Sequence, residues 1–447
     1  MRRSGLALGG LYAVTTALSS SASLAQDGGV RMVFGLENRL EIARNAELSV
    51  PATGTDVLDV TRLSFGLTTE TAIDRLQFTA SGALIAENTA GPSGTELDFG
   101  REAVTLAYHR EVPAAVLDFS AEYRRDNVDA FEDDLTTVDD TGTRTDLNLS
   151  ARLETGRTSS IGFAIGAAYD STDYQDTLDP DLTDTTEKRA DFAVLFHASA
   201  TTTGILGLRY ALREDENPGT RRIETVTTYA GLTYAVSDRL DLAAEIGYVD
   251  SEDEDFDVIE RSRGPEARVN LTYDMPVGTA MAEATLTTVA TEGQRETIVI
   301  GRDLETPNNT ISARLGVTHA DTTGSDLIGS LRWDHPLPDG TLGVTLERRV
   351  TFDVDGGEEL VSSVARANWA KDVNALSSIS LDISYELSDA PSERIEQVTL
   401  GAGYNYRLTE YWNLNSGVGY RVRHDADGRS ESPNLFLAIS RNFELNP

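Results

Sequence analysis

The sequence contains no cysteine, and this absence excludes several kinds of chemistry. Thiolate zinc sites, iron–sulfur clusters, cysteine nucleophiles, structural disulfides and a lipid-modified N-terminal cysteine all require that residue. Only carboxylates and five histidines remain as metal ligands. They show neither zinc nor EF-hand spacing, and no glycine-rich phosphate loop is present. We therefore expect no metal and no cofactor.

Positive charge is scarce. Lysine and arginine together number 38, against 73 aspartates and glutamates, which gives a formal charge of −35. Lysine occurs only at Lys188 and Lys371, so nearly all cations are arginines, which keep their charge in partly desolvated places. Binding to nucleic acid needs a basic surface that neutralises phosphates. We expect no nucleic-acid partner.

Long apolar runs are also missing. The N-terminus reads Met1 to Arg3, an apolar stretch from Leu6 to Leu18, and small residues from Ser23 to Ala25, which is the layout of a secretory signal peptide. We expect cleavage after residues 1–25, leaving 26–447. The alternative, an uncleaved anchor helix, needs roughly 18 apolar residues, and polar residues shorten this run. No later run is long enough for a membrane-spanning helix.

Strict alternation of apolar and polar residues dominates the remaining chain. Leu117, Phe119 and Ala121 alternate with Asp118 and Ser120, and similar segments of about ten residues recur to the C-terminus. A period of two predicts strands with two different faces. We predict an all-β, antiparallel, up-and-down transmembrane β-barrel of about 22 strands, with 18 to 24 as the range.

The connections between these segments are predicted to alternate in length. Short polar turns such as Pro336 to Gly340 alternate with the long segments Asp126 to Gly142, Ser171 to Glu187, Asp250 to Ser262 and His424 to Pro433. This asymmetry is typical of outer-membrane barrels, with periplasmic turns and external loops. The long segments are acidic. They read either as solvated loops or as Ca²⁺ or Mg²⁺ sites, and we favour solvated loops.

Large aromatic residues on the apolar face fall near the predicted strand ends, as an interfacial girdle requires. A soluble β-sandwich, the alternative, would concentrate them at the middle of a core. The predicted girdle residues beside the short turns are Tyr108, Tyr234, Tyr273, Trp333, Trp369, Tyr406, Trp412 and Phe443. Those at the loop ends are Tyr123, Tyr169, Tyr210, Tyr248, Tyr385 and Tyr420.

The polar face is predicted to line the lumen. Its charges act either as an ion filter or as ion-pair ladders that stiffen the wall, and the sequence leaves both readings open. The predicted lumen residues are Asp118, Glu122, Arg152, Arg209, Asp241, Glu245, Arg268, Arg314, Arg332, Glu347, Arg366, Asp382, Glu386, Arg407 and Arg421.

The C-terminal hairpin carries a family resemblance. It comprises Gly419 to Arg423, an acidic loop, the alternating strand Leu435 to Ile439 and the ending Arg441 to Phe443, although Arg441 stands where an apolar residue is usual. In these segments the chain resembles the beta-barrel porins of Gram-negative outer membranes, in particular the type called beta-barrel porin 2. The resemblance implies a porin-like barrel and carries over no catalytic motif. Such a terminal strand is read by the barrel-assembly machinery, which we expect as a partner.

We expect a bacterial outer-membrane protein in contact with lipid and lipopolysaccharide that gives passive passage to small polar solutes or exported glycan. Its acidic outer mouth would favour cations. The alternative is a non-conducting structural or surface-interaction barrel. The first strand is predicted near Val30, which leaves no room for a plug domain, so we do not expect an energised transporter. The histidines are scattered outside nucleophile motifs, and we expect no enzyme activity.

Overall fold

Alternating sequence segments form 22 β-strands in the computed structural model. The structure describes residues 29–88, 95–128, 142–177, 182–216, 220–255, 258–289, 293–321, 323–353, 358–391, 394–426 and 428–445. The predicted signal peptide lies outside these residues, as do the acidic residues of segment 129–141. Among the described residues no helix is both long and apolar enough to cross a bilayer.

Each strand of the barrel is long enough to span a membrane at a tilt. The strands are β1 (Val30–Arg44), β2 (Thr55–Glu70), β3 (Asp74–Asn88), β4 (Thr95–Val112), β5 (Ala115–Asn127), β6 (Thr143–Thr155), β7 (Ile161–Gln175), β8 (Asp184–Ser199), β9 (Thr202–Glu216), β10 (Thr220–Ser237), β11 (Leu240–Asp255), β12 (Val258–Asp274), β13 (Thr279–Val289), β14 (Gly293–Thr306), β15 (Asn309–Ala320), β16 (Gly324–Leu337), β17 (Gly340–Asp353), β18 (Glu358–Asn374), β19 (Ser377–Asp389), β20 (Arg394–Arg407), β21 (Trp412–Asp425) and β22 (Gly428–Leu445).

The sheet closes on itself. Every strand pairs antiparallel with its neighbours in the chain, and β1 pairs with both β2 and β22, so that Phe34 lies opposite Phe65 on one side and Phe443 on the other. Closure leaves no unpaired sheet edge. With strands about 4.8 Å apart and tilted about 40°, 22 strands form a cylinder about 44 Å across. The prediction of an all-β antiparallel barrel of about 22 strands is confirmed.

Three of the predicted long loops are largely strand where the structure describes them, and this part of the prediction is wrong; most of the fourth, Asp126 to Gly142, lies outside the described residues. Within the segment Asp250 to Ser262, β11 continues to Asp255 and β12 resumes at Val258. Charged residues pair across this hairpin, with Arg263 Nε 3.0 Å from Asp250 Oδ2. Similarly, β21 reaches Asp425 and β22 resumes at Gly428. Ion pairing between neighbouring strands lets polar sequence extend the sheet beyond the apolar band.

Contacts between strands that are not neighbours identify the inner face. Arg152 of β6 lies 3.6 Å from Asp191 of β8, and Arg209 of β9 lies 3.5 Å from Glu266 of β12. Side chains converge only on the concave side of a barrel, so the polar face is the inner one. The convex face carries exposed apolar residues such as Leu63. This apolar exterior suits a hydrocarbon environment.

Candidate functional site: a charged lumen wall

The strand register places the predicted lumen residues on the concave face. Cross-strand partners in an antiparallel sheet point to the same side, so each assignment follows from residue pairs such as Asp118 and Arg152, or Asn368 and Asp382. The residues on this face include Asp118, Glu122, Arg152, Arg209, Asp241, Glu245, Arg268, Arg314, Arg332, Glu347, Arg366, Asp382, Glu386, Arg407 and Arg421.

Half of the wall carries a belt of alternating charges, which we name the charge belt. It runs from β4 to β13. Its contacts, in strand order, are His109 with Asp118 at 2.7 Å, Arg152 with Asp191 at 3.6 Å, Arg209 with Glu245 at 2.7 Å and with Glu266 at 3.5 Å, and Arg268 with Glu283 at 3.8 Å. Sequence reasoning did not select Asp191, Glu266 or Glu283 as lumen residues. Their position in the period-two pattern is the signal that could have found them.

Glycines make room for the large side chains of the charge belt. Asp191 lies across Gly166 of the neighbouring strand, and the ring of Tyr229 lies across Gly207, where a Cβ atom would overlap it. The Arg209 guanidinium stacks on Tyr229, 3.9 Å from the ring centroid. This inward aromatic residue was not predicted, because its neighbours on the same face are threonines and glycine. The glycines therefore allow side chains to lie flat along the wall.

The other half of the wall has shorter pairs, and isolated charges occur in both halves. Arg314 lies 3.1 Å from Asp303, Arg332 lies 2.8 Å from Asp334, and Arg366 lies 2.7 Å from Glu386. Within the described part of the chain, five predicted lumen residues have neither an ion pair nor a side-chain hydrogen bond: Glu122, Asp241, Glu347, Asp382 and Arg407. Both readings of the sequence therefore have candidates, since some charges form pairs and others are free to meet a solute.

Water reaches the charge belt. The side chain of Arg152 is 57% exposed and that of Arg268 is 64% exposed, although both point into the barrel. Ion pairs at such exposure contribute at most about 1 kcal/mol each. These pairs therefore add little to the stability of the barrel. A hydrated wall of fixed charges, in contrast, attracts and orders mobile ions.

The predicted girdle residues lie on the convex face. By register these are Tyr108, Tyr123, Tyr169, Tyr210, Tyr234, Tyr248, Tyr273, Trp333, Trp369, Tyr385, Tyr406, Trp412, Tyr420 and Phe443. Trp369 lies closer to the middle of the apolar band than predicted. It lies opposite Leu381 at the middle of the lipid-facing part of β19, whereas Tyr406 lies opposite Ser377 at the start of that strand.

The convex face also holds Arg441, the residue that departs from the usual terminal strand. Its guanidinium lies 4.1 Å from the Phe443 ring centroid, 5.3 Å from that of Trp412 and 5.5 Å from that of Tyr411. Aromatic faces attract a cation, and the long side chain can direct its charge toward the membrane interface. The aromatic cluster accounts for an arginine at this position.

Two carboxylates beyond the girdles have lowered pKa values. Above Tyr248, a hydrogen bond from Arg263 lowers the pKa of Asp250. Below Tyr108, Arg157 in the turn after β6 lowers the pKa of Glu111 in the same way. Each of these carboxylates is paired with its arginine near one end of the barrel, so its charge is offset locally.

A closed barrel with an apolar exterior, outward aromatics and a hydrated, charged interior defines the class: a large transmembrane β-barrel. No family profile matches the chain, and no curated protein matches it. Among the residues described, no group of three or more histidines and carboxylates is arranged to hold a metal ion.

Solved structures show where else this fold occurs. The siderophore receptor PirA from Pseudomonas aeruginosa is 12% identical, with a TM-score of 0.53 over 94% of this chain and 80% of the receptor. The FrpB iron transporter from Neisseria meningitidis (F3-3 variant) is 9% identical, with a TM-score of 0.61 over 94% and 82%. PirA from Acinetobacter baumannii is 8% identical, with a TM-score of 0.57 over 94% and 81%. At these identities the likeness shows the fold. All three are named as receptors or transporters, in line with the expectation of a non-enzyme.

Proposed function

We propose that the protein is a porin-like barrel of the bacterial outer membrane that gives polar solutes a passive path. The observation that carries this proposal is the charge belt, whose side chains cross ten consecutive strands and remain open to water. Hydrated charges on the inner wall would attract and order mobile ions along such a path. Small ions and sugars fit a lumen of this width, and exported glycan is the larger alternative.

The lumen should prefer cations. Carboxylates outnumber arginines along the charge belt, and the whole chain has a formal charge of −35. Asp241 and Glu122 have no partner among the described residues, so their charge is not offset locally. Fixed negative charge raises the local concentration of cations and repels anions.

Conductance across a planar bilayer tests the proposal. The refolded protein should give discrete current steps, and a salt gradient should give a reversal potential of the sign expected for cation preference. Replacing Asp241→Asn together with Glu122→Gln should reduce that potential. Asp250→Asn, a matched change on the convex face, should leave it unchanged. The absence of current at any voltage would support the alternative, a non-conducting barrel for structure or surface interaction.

Two groups of partners belong to the same proposal. The apolar exterior and its outward aromatics suit outer-membrane lipid, and the charged strand ends above Tyr248 suit the lipopolysaccharide level. The barrel-assembly machinery would act on β22, the alternating C-terminal strand that closes the cylinder against β1. Depletion of that machinery should leave the protein unfolded in the periplasm.

A further inference from the structure

The connection between β1 and β2, Asn45 to Gly54, packs into the barrel mouth; we name it the seam loop, because it lies where the first and last strands meet. Asn45 is 1% exposed and Ala46 is fully buried, and Leu48 is also buried. A connection of ten residues that stood free in solvent would expose most of its side chains. The burial therefore requires a surface on which the loop rests.

That surface is the concave face. Glu41 and Ala43 of β1, Asp56 of β2 and Ser432 of β22 all point inward by register, and all are buried. Their convex-face neighbour Ile42 is exposed. Burial confined to the inner side of the seam means that the loop lies inside the mouth, over the wall at β22, β1 and β2.

Directed hydrogen bonds fasten the loop to the distant C-terminal strands. Arg421 of β21 donates from Nη2 to the carbonyl oxygen of Ala46 at 2.7 Å. Asn45 donates from Nδ2 to the carbonyl oxygen of Glu431 at 3.3 Å. The Asn45 side chain also accepts a hydrogen bond from the amide of Thr53 at 3.1 Å, which closes the loop on itself. Its φ of 50° is in the left-handed region, which asparagine tolerates better than most residues.

The wall beneath the loop is braced. Glu41 accepts a hydrogen bond from Asn434 at 2.9 Å and forms an ion pair with Arg39 at 2.9 Å. The Arg39 guanidinium stacks on the inward ring of Phe436, 3.8 Å from its centroid. Each contact joins β1 to β22 or fixes a side chain beside that seam. A rigid floor and two anchors give the seam loop one position.

We infer that the seam loop is a fixed inward fold that narrows the outer mouth on the side of β22, β1 and β2 and so lowers the size limit for solutes. Arg421 and Asn45 are its positioning residues, since both hold the loop and neither needs to touch the solute. The inference rests on the proposed passive path. The placement of the loop and the conduction can nevertheless be measured separately.

Exclusion of polymers measures the size limit. With Arg421→Ala the loop should lift, so that unitary conductance rises and larger polyethylene glycols enter the lumen and reduce the current. Arg421→Lys keeps a donor and should restore much of the wild-type limit. Arg423→Ala is the matched control. It points inward from the same strand one step along and pairs with Asp425 at 2.9 Å rather than with the loop. An unchanged size limit in Arg421→Ala would overturn the inference.

Thiol protection measures the placement of the loop without any current. Because the chain has no cysteine, Ala46→Cys introduces a single buried thiol. It should resist a membrane-impermeant maleimide and become reactive once Arg421→Ala is added. Val50→Cys, exposed on the same loop, should react in both backgrounds. Equal labelling of Ala46→Cys in both backgrounds would refute the inference that Arg421 holds the seam loop in its buried position. Protection together with absent current would instead refute the passive path and keep the loop in place.

Discussion

A pair of adjacent arginine substitutions on β19 tests the assignment of the two faces. Leu381 is 47% exposed on the convex face and lies four residues from Ser377 and four from Tyr385, at the middle of the apolar band. Leu381→Arg should cost about 2–4 kcal/mol, as an arginine does at the bilayer midplane. Asp382 points into the hydrated lumen, opposite Asn368 and Gly401. Asp382→Arg should cost about 0.5 kcal/mol, as a surface change does.

The difference is large enough to measure. A gap of about 1.4 kcal/mol changes the ratio of folded to unfolded protein tenfold. Urea unfolding in lipid vesicles would rank the variants by their free energy of unfolding. The folded fraction at each urea concentration would be read from the heat-dependent mobility of the barrel on a denaturing gel. Leu381→Ala separates loss of the leucine from the effect of the charge. Equal losses in the two arginine variants would refute the alternation argument, and a greater loss in Asp382→Arg would mean that the faces are exchanged.

Three further outcomes are expected. Gly207→Ala should destabilise the barrel by about 1–3 kcal/mol, because the added Cβ atom would overlap the Tyr229 ring, and Tyr229→Ala should restore stability in the double variant. Gly401→Ala should be tolerated in the same urea titration, because the atom nearest to its added Cβ would be 3.7 Å away. Lowering the pH below about 4 should abolish cation preference in reversal-potential measurements, because carboxylates lose their charge there; a preference unchanged at that pH would place its origin elsewhere. An epitope tag at Ala390 should be labelled on intact cells and one at Asp339 only after the outer membrane is opened, and the reverse would invert the topology.

The structure shows why the epitope tag is not placed in the predicted loops Asp250 to Ser262 or His424 to Pro433. Asp253, within the segment predicted as an external loop, is buried and paired with Arg221 at 2.7 Å, so a tag there would disrupt the sheet. Asp427, in the predicted loop His424 to Pro433, lies outside the described residues. The turn residue Asp339 keeps its predicted place between β16 and β17.

Local periodicity was sufficient to predict the strands and their two faces. In a strand, the side of each side chain is decided by odd or even position alone, so Asp118 and Phe119 could be assigned to opposite faces without knowledge of any partner. The even strand count followed from the same alternation and from turns such as that at Asp339. The predicted lumen residues share one face in the register for that reason, and their role in conduction remains a proposal.

The sequence could not determine what depends on neighbours. Charged segments such as Asp250 to Ser262 look like loops until the pairing of Asp250 with Arg263 stabilises them as strand ends. The charge belt likewise depends on the register and curvature of the barrel, which bring Arg209 to Glu266 across two intervening strands. The sequence of each strand alone specifies neither.

The seam loop illustrates the limit of what the sequence alone can predict. A segment from Asn45 to Gly54 reads as an ordinary external connection, and nothing within it indicates the side to which it turns. Its anchors, Arg421 and the Glu431 carbonyl, are nearly four hundred residues away in sequence, and only closure of β1 against β22 brings them to the loop. The sequence thus determined the strands and their faces, because these depend on a local period. The register, the ion pairs and the constriction are long-range consequences of closing the barrel.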